Sequence, residues 1–237
     1  MKHGVDMDIE RTPITRRSSL LKLGGFLASA LAVGELTSED AEGSGPAGVA
    51  SGAITCVLTP ELTEGPYYIA NEKLRRNITD GHPGTQLTLK TTVVNASTCK
   101  PIKNAAVDVW HADAAGVYSG FGSGASSRTF MRGIQKTDAK GVATFVTVYP
   151  GWYQGRAVHI HVKVHVGGNV VHTGQLFFPD AVTDTVYEAA PYNTRGARDM
   201  LNAQDSIFVN GGKKSIVAVK KSAAGYVGTI TMGVTRS

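Results

Sequence analysis

His159 and His161 stand two residues apart in the run His159-Ile160-His161-Val162-Lys163-Val164-His165-Val166. In a strand, alternate side chains share a face. Both imidazoles therefore point the same way, about 6.5–7 Å apart along the backbone and within reach of one metal ion. An H-x-H alone is a weak signal, because its ordinary meaning is two histidines on a solvated strand face. Lys163 and His165, further along, are assigned to that exposed class. The surroundings strengthen the pair. Arg156 precedes His159 by three residues, and Tyr153 closes the turn Tyr149-Pro150-Gly151-Trp152-Tyr153 that leads into the strand. Tyr118 follows Trp110-His111-Ala112-Asp113, and Gln175 lies on the strand that hairpins back beside the histidines. Two phenols, two imidazoles, a guanidinium and an amide could therefore converge, although taken alone each tyrosine reads as an ordinary strand-end aromatic. The guanidinium adds a permanent positive charge, and the amide adds a donor and an acceptor.

These side chains need strands to aim them. Gln86–Asn95, Ala106–Ala112, Gly141–Tyr149, Ala157–Val166, Asn169–Phe178, Ser215–Lys220 and Gly225–Thr235 alternate or are rich in β-branched residues, and glycine-rich or polar turns separate them. Ile160, Val162, Val164 and Val166 form the apolar face opposite the histidines, the face that belongs in a core. Short helices are expected near Ala181–Glu188 and Arg195–Gln204. They follow the fifth of these strands, so the order is not βαβ. The predicted fold is all-β, a β-sandwich of about seven to eight strands with short peripheral helices and long loops.

The chain has 237 residues with a net charge of +5, 42% hydrophobic and 18% charged, which excludes disorder throughout. No dense Lys/Arg cluster argues for nucleic acid, and no apolar run reaches the roughly 18 residues of a membrane span. Residues 1–32 combine Arg16-Arg17, an apolar stretch Leu23–Val33 and small-residue cleavage patterns at Ala28–Ala32. That order is an export signal, and the twin arginine points to the Tat route, to the periplasm or the outside of a bacterial cell. Residues 33–55 read as a flexible linker, leaving 56–237 as the folded domain. Cys56 and Cys99 suit one disulfide in an oxidising compartment, against the alternative of two buried thiols.

Five segments in order carry a family resemblance: TPELTEGPYY at Thr59–Tyr68, NAAVDVWHADAAGVYSG at Asn104–Gly120, FMRGIQKTDAKG at Phe130–Gly141, YPGWYQGRAVHIHVKV at Tyr149–Val164 and GQLFF at Gly174–Phe178. Over roughly Thr59–Thr235 the chain resembles the intradiol ring-cleavage dioxygenases, and in particular their shorter, exported branch with cysteines in the positions of Cys56 and Cys99. The resemblance implies a non-haem Fe(III) held by Tyr118, Tyr153, His159 and His161. Arg156 and Gln175 would be catalytic residues beside it, and Gly65, Pro66 and Tyr67 would line the substrate pocket. Tyr153, as the axial ligand, would also accept a substrate proton. The implied reaction joins O2 to a catechol-type diol and opens the ring between the two hydroxylated carbons, giving a cis,cis-muconate-type diacid. A homodimer is allowed but not specified. One departure stands out: catechol 1,2-dioxygenases carry a longer insertion between the second tyrosine and the first histidine. Here only Gln154–Val158 intervenes, which implies a more open site. The competing reading is an exported, non-enzymatic β-sandwich module that binds carbohydrate or a surface. It predicts exposed aromatics and no iron. Copper or zinc on the H-x-H is a third reading.

Overall fold

The computed structural model describes residues 56–121 and 124–235. The expected export signal and linker lie outside them. Eight strands form two four-stranded sheets: β1 (Gln86–Asn95), β2 (Ala106–Trp110), β3 (Arg132–Lys136), β4 (Val142–Val148), β5 (His159–Val166), β6 (Asn169–Phe177), β7 (Ala218–Ser222) and β8 (Gly225–Val234). One sheet has the order β4-β1-β8-β7, with β1 and β8 parallel, and the other β3-β2-β5-β6, antiparallel throughout. The sandwich core fills with the alternate residues of each strand, among them Leu87, Leu89, Val107, Val109, Phe145, Ile160, Val162, Leu176 and Met232, all buried. Period-two alternation is the reason: each strand gives one face to the other sheet.

The register of the second sheet sets the site. Arg132 pairs with Trp110, Trp110 with His161, and His161 with Gln175. Directly paired residues point to the same side, so these four form one row across the outer face. That face is not solvated, contrary to the ordinary meaning of H-x-H. The N-terminal segment Thr59–Arg76 crosses it as a strap. Its Leu62 amide donates to Thr173 O on β6, and Leu74 bridges to Ile134 on β3. His159 and His161 are buried as a result. So is Lys163, a correction to its expected exposure: its ammonium pairs with Glu64 of the strap and lies 3.6 Å from the centre of the Tyr68 ring. His165 is half-buried.

Two further differences concern the periphery. β3 was not anticipated. A first helix, α1 (Asp180–Tyr187), stands where expected, but of Arg195–Gln204 only Asn202–Gln204 is helical, as a single 3-10 turn. Its left-handed Gly196 interrupts it, and its charged side chains reach elsewhere: Arg198 to Asp180 and Asp184, Asp199 to the Gly155 amide. Helix α2 (Ser206–Asn210) follows, capped by Asp205, which accepts from the Ile207 and Phe208 amides. A disulfide joins Cys56 to Cys99 and anchors the start of the strap.

Candidate metal centre

Two loops bring the phenols to the histidines. Asp113 builds the first: its Oδ1 accepts from the Ala115 and Val117 amides at 2.9 Å, an Asx-type turn that delivers Tyr118. The same residue's carbonyl accepts from Gly151 at 3.0 Å, tying in the second loop, which carries Tyr153. A Cβ on Gly151 would meet the carbonyls of Asp113 and Ala114 at 2.5 and 2.4 Å, so no other residue fits. Arg195 clamps both loops from outside, its guanidinium 4.6 Å above the Trp152 ring and 3.4 Å from Ala114 O. Buried Arg132 holds the far side of Tyr118 through Ser119 O and Oγ at 2.7 to 3.1 Å.

The four expected ligands converge. His159 Nε2 and His161 Nε2 are 3.0 Å apart, and Tyr153 Oη is 3.1 Å from His159 Nε2. The Tyr118 and Tyr153 rings meet edge to face with centroids 5.5 Å apart. His159 Nδ1 donates to Ala157 O at 2.7 Å, which leaves the Nε2 lone pair facing the cluster. Trp110 stacks on His161 at 5.0 Å and 5°. Burial pushes the His159 imidazole down to about 3 and His161 well below its usual range, so both are neutral. Burial pushes both phenols up, and the Arg156 guanidinium opposes it.

A cation fits this set. Among the described residues Tyr118 Oη is buried without a hydrogen-bond partner, and both Nε2 atoms and Tyr153 Oη lie within 3.1 Å of a neighbour in the same cluster. A buried hydroxyl left without a partner is costly. A shared cation would be held by both Nε2 lone pairs and by Tyr118 and Tyr153, which it would favour as phenolates. Among the described residues no group of three His, Cys, Asp or Glu offers a metal site, so the phenols are what complete this one. Two hard anionic oxygens with two imidazoles suit Fe(III) better than a soft or divalent ion.

Arg156 and Gln175 lie beside the four. Arg156 Nη2 donates to Gln175 Oε1 at 2.5 Å, and Gln175 Nε2 donates to the strap carbonyl of Thr63 at 2.9 Å. Both ends of the Gln175 amide are thus engaged within the protein. On the strap, Gly65 has φ 71° and lies against His161, and Tyr67 stacks on Tyr118 at 4.3 Å. Pro66, between them, is exposed. Asp113, Arg132, Arg195 and Asp205 escaped the sequence reading. The Asp113–Gly116 spacing is an Asx-turn signal and Asp205 precedes a helix, but the long-range partners of all four leave no local trace.

A family model described as Dioxygenase matches residues 63–217. The chain belongs to the intradiol ring-cleavage dioxygenase family. It is 37% identical to the intradiol ring-cleavage dioxygenase from Tetranychus urticae, with a TM-score of 0.72 over 76% of this chain and 95% of that one. The dioxygenase domain of a dioxygenase–carbohydrate-binding fusion from Streptomyces sp. SirexAA-E is 31% identical, with a TM-score of 0.59 over 76% and 99%. Catechol 1,2-dioxygenase 2 of Acinetobacter lwoffii is 36% identical over 103 residues, 40% of this chain. The match spans 35% of that curated relative's length.

Proposed function

We propose that this chain is a non-haem Fe(III) enzyme that opens a catechol-type diol between its hydroxylated carbons with O2, yielding a cis,cis-muconate-type diacid. The convergence of Tyr118, Tyr153, His159 and His161 in one buried cluster carries the reading. These four would hold the iron. Bound there, Fe(III) would supply a Lewis-acid centre that takes the diol oxygens and raises the ring's reactivity toward O2.

The chain's own residues do the rest. Tyr153 is half-buried and Tyr118 fully so. Tyr153 Oη is therefore the phenolate free to move and take one hydroxyl proton from the substrate, while Tyr118 stays in place between Tyr67 and the Arg132-held loop. Arg156 sets a fixed positive charge where negative charge develops on ring and oxygen. Gln175 holds that guanidinium rather than offering a free amide to substrate. Gly65 and Tyr67 close the strap side against water. The segment between Tyr153 and His159 is short, Gln154–Val158, which favours varied substituted catechols.

The visible spectrum of purified protein, before and after catechol under argon, tests this reading. A tyrosinate charge-transfer band that moves to longer wavelength is expected. A protein that stays colourless after Fe(III) loading overturns it, and metal analysis then separates copper or zinc from no metal. The binding-module alternative lacks its main support, since among the described residues no aromatic side chain is exposed. We further propose that residues 1–32 direct Tat export, that 33–55 are a tether and that 56–237 are the catalytic domain. The Cys56–Cys99 bond suits an oxidising compartment. Replacing Arg16 and Arg17 with lysine and fractionating cells tests the route: retention in the cytoplasm supports it.

A further inference from the structure

Arg156 is held from two sides, and only one of them is the Gln175 amide. On the other, its Nε donates to Asp205 Oδ2 at 2.9 Å. That oxygen also accepts the Ala157 amide at 2.9 Å, and Oδ1 accepts Ile207 N at 2.8 Å and Phe208 N at 3.2 Å. The Asp205 side chain is 1% exposed, so four protein donors use it up and water does not compete. Burial alone would raise this carboxyl. The Ala157 amide and Arg156 outweigh burial and hold it below the usual carboxylate range.

The position of Asp205 is itself fixed. It begins α2, whose Phe208 packs edge to face on Phe177 at 5.2 Å. Phe177 is the register partner of His159. The carboxylate is therefore locked to the same strand pair that carries the first histidine. It also grips the backbone at Ala157, whose carbonyl orients His159 Nδ1.

We infer that Asp205 is a positioning residue that fixes the Arg156 guanidinium over the reacting centre. The inference rests on the reading of Arg156 given above. A free arginine side chain has high rotamer entropy, and with one partner it would sweep the site. With Nε on Asp205 and Nη2 on Gln175, the fork has one orientation. Among the described residues its Nη1 makes no hydrogen bond, which leaves that end to a substrate oxygen. Asp205 touches neither substrate nor ligand; its main route is Arg156, and its bond to the Ala157 amide is a lesser route beside His159. The same network joins distant parts of the chain: Thr63 of the strap, Gln175 of β6, Arg156 of the short loop and Asp205 of α2.

The test uses the full chain and D205N. The amide oxygen of this variant keeps the cap on α2 while the charge and the second acceptor are lost. In 15N-arginine-labelled apoprotein, Arg156 Nε–H should be a slowly exchanging resonance that becomes fast-exchanging in D205N. This readout needs neither iron nor turnover. In iron-loaded protein, D205N should lose about 10- to 100-fold in kcat/KM, with iron content and the charge-transfer band unchanged. In an R156A background the same change should cost severalfold less than in wild type, because the route through Arg156 is gone and only the Ala157 contact remains. An equal loss in both backgrounds, or an unaltered Arg156 resonance, overturns the inference. If D205N fails to fold, D205S caps the helix but does not reach Arg156, and the same outcomes apply. A wild-type protein without iron or turnover would sink the proposed function yet leave the resonance test to decide this one.

Discussion

Gly65→Ala is a small change with two separable costs. At φ 71° the backbone is left-handed, and a Cβ there costs about 1–2 kcal/mol. The added Cβ would also lie 3.0 Å from His161 Cε1, so a neighbour must give by a few tenths of an ångström. The ring has little room, since Trp110 stacks on it at 5.0 Å. The strap must shift instead, against the Thr63–Gln175 bond and the Glu64–Lys163 pair. The sum is about 2 kcal/mol, or about 4–8 °C in Tm for a domain of this size. A displacement of 1 Å at a reacting centre costs about 100-fold, so a shift of tenths should cost several-fold in kcat/KM. Gly65→Asn separates the terms: asparagine tolerates the left-handed region but keeps the Cβ contact. Thermal melts should therefore rank wild type above G65N and G65N above G65A, with the charge-transfer band perturbed in both variants. If G65A melts within about 1 °C of wild type and keeps its spectrum, the strap does not press on His161 and the reasoning is wrong.

Other outcomes follow from single groups. Tyr118→Phe removes a buried hydroxyl that has no protein partner. The apoprotein should hold or gain stability, by about 1 kcal/mol, while iron retention and the visible band fall sharply; calorimetry of apoprotein beside metal analysis checks both halves. Asp108 is pushed up to about 7 by burial; Lys163, Arg132 and Tyr68 around it lower it, and Glu72 raises it. A carboxyl raised above its unfolded value of 3.8 binds its proton more tightly when folded. Stability should therefore fall as pH rises from about 4 to 7 and level off above. Asp108→Asn should flatten that slope in melts run across pH, and an unchanged slope would assign the effect elsewhere. Reducing Cys56–Cys99 frees a loop with sequence separation 43. The cost should be about 4 kcal/mol, read as a Tm drop of about 10 °C in dithiothreitol, with the strap becoming protease-sensitive first.

The strands that alternate cleanly were legible within a residue or two, because each must give one apolar face to the other sheet. β3 was not. In Arg132-Gly133-Ile134-Gln135-Lys136 the inward positions are Gly133 and Gln135, so an edge strand with little to bury leaves no apolar stripe. The segment Arg195–Gln204 has helix-compatible residues, but its charges are committed to contacts far along the chain. The four residues that converge were legible through the ordered motifs. The burial of their face was not, since the strap that covers it carries glutamates and tyrosines rather than an apolar stripe. Lys163 looked exposed for the same reason: the Glu64 that pairs with it comes from 99 residues away.

The same strap explains why one row of the sheet can serve as a site. Sheet register alone supplies Arg132, Trp110, His161 and Gln175 in a line, but an open face would leave His161 and the phenols in water. There, imidazoles titrate near their ordinary range and phenols lose nothing by staying protonated. Covering the row removes water and makes the unpartnered donors expensive. It is this cost that would turn four ordinary side chains into a preference for a cation. The strap is in turn held at Cys56, at Leu62 and at Thr63, and the last of these holds Gln175 and through it Arg156. Closing the face and aiming the guanidinium are thus one act. Loosening the strap should weaken cation retention and the placement of Arg156 together, even though Arg156 is not among the metal donors.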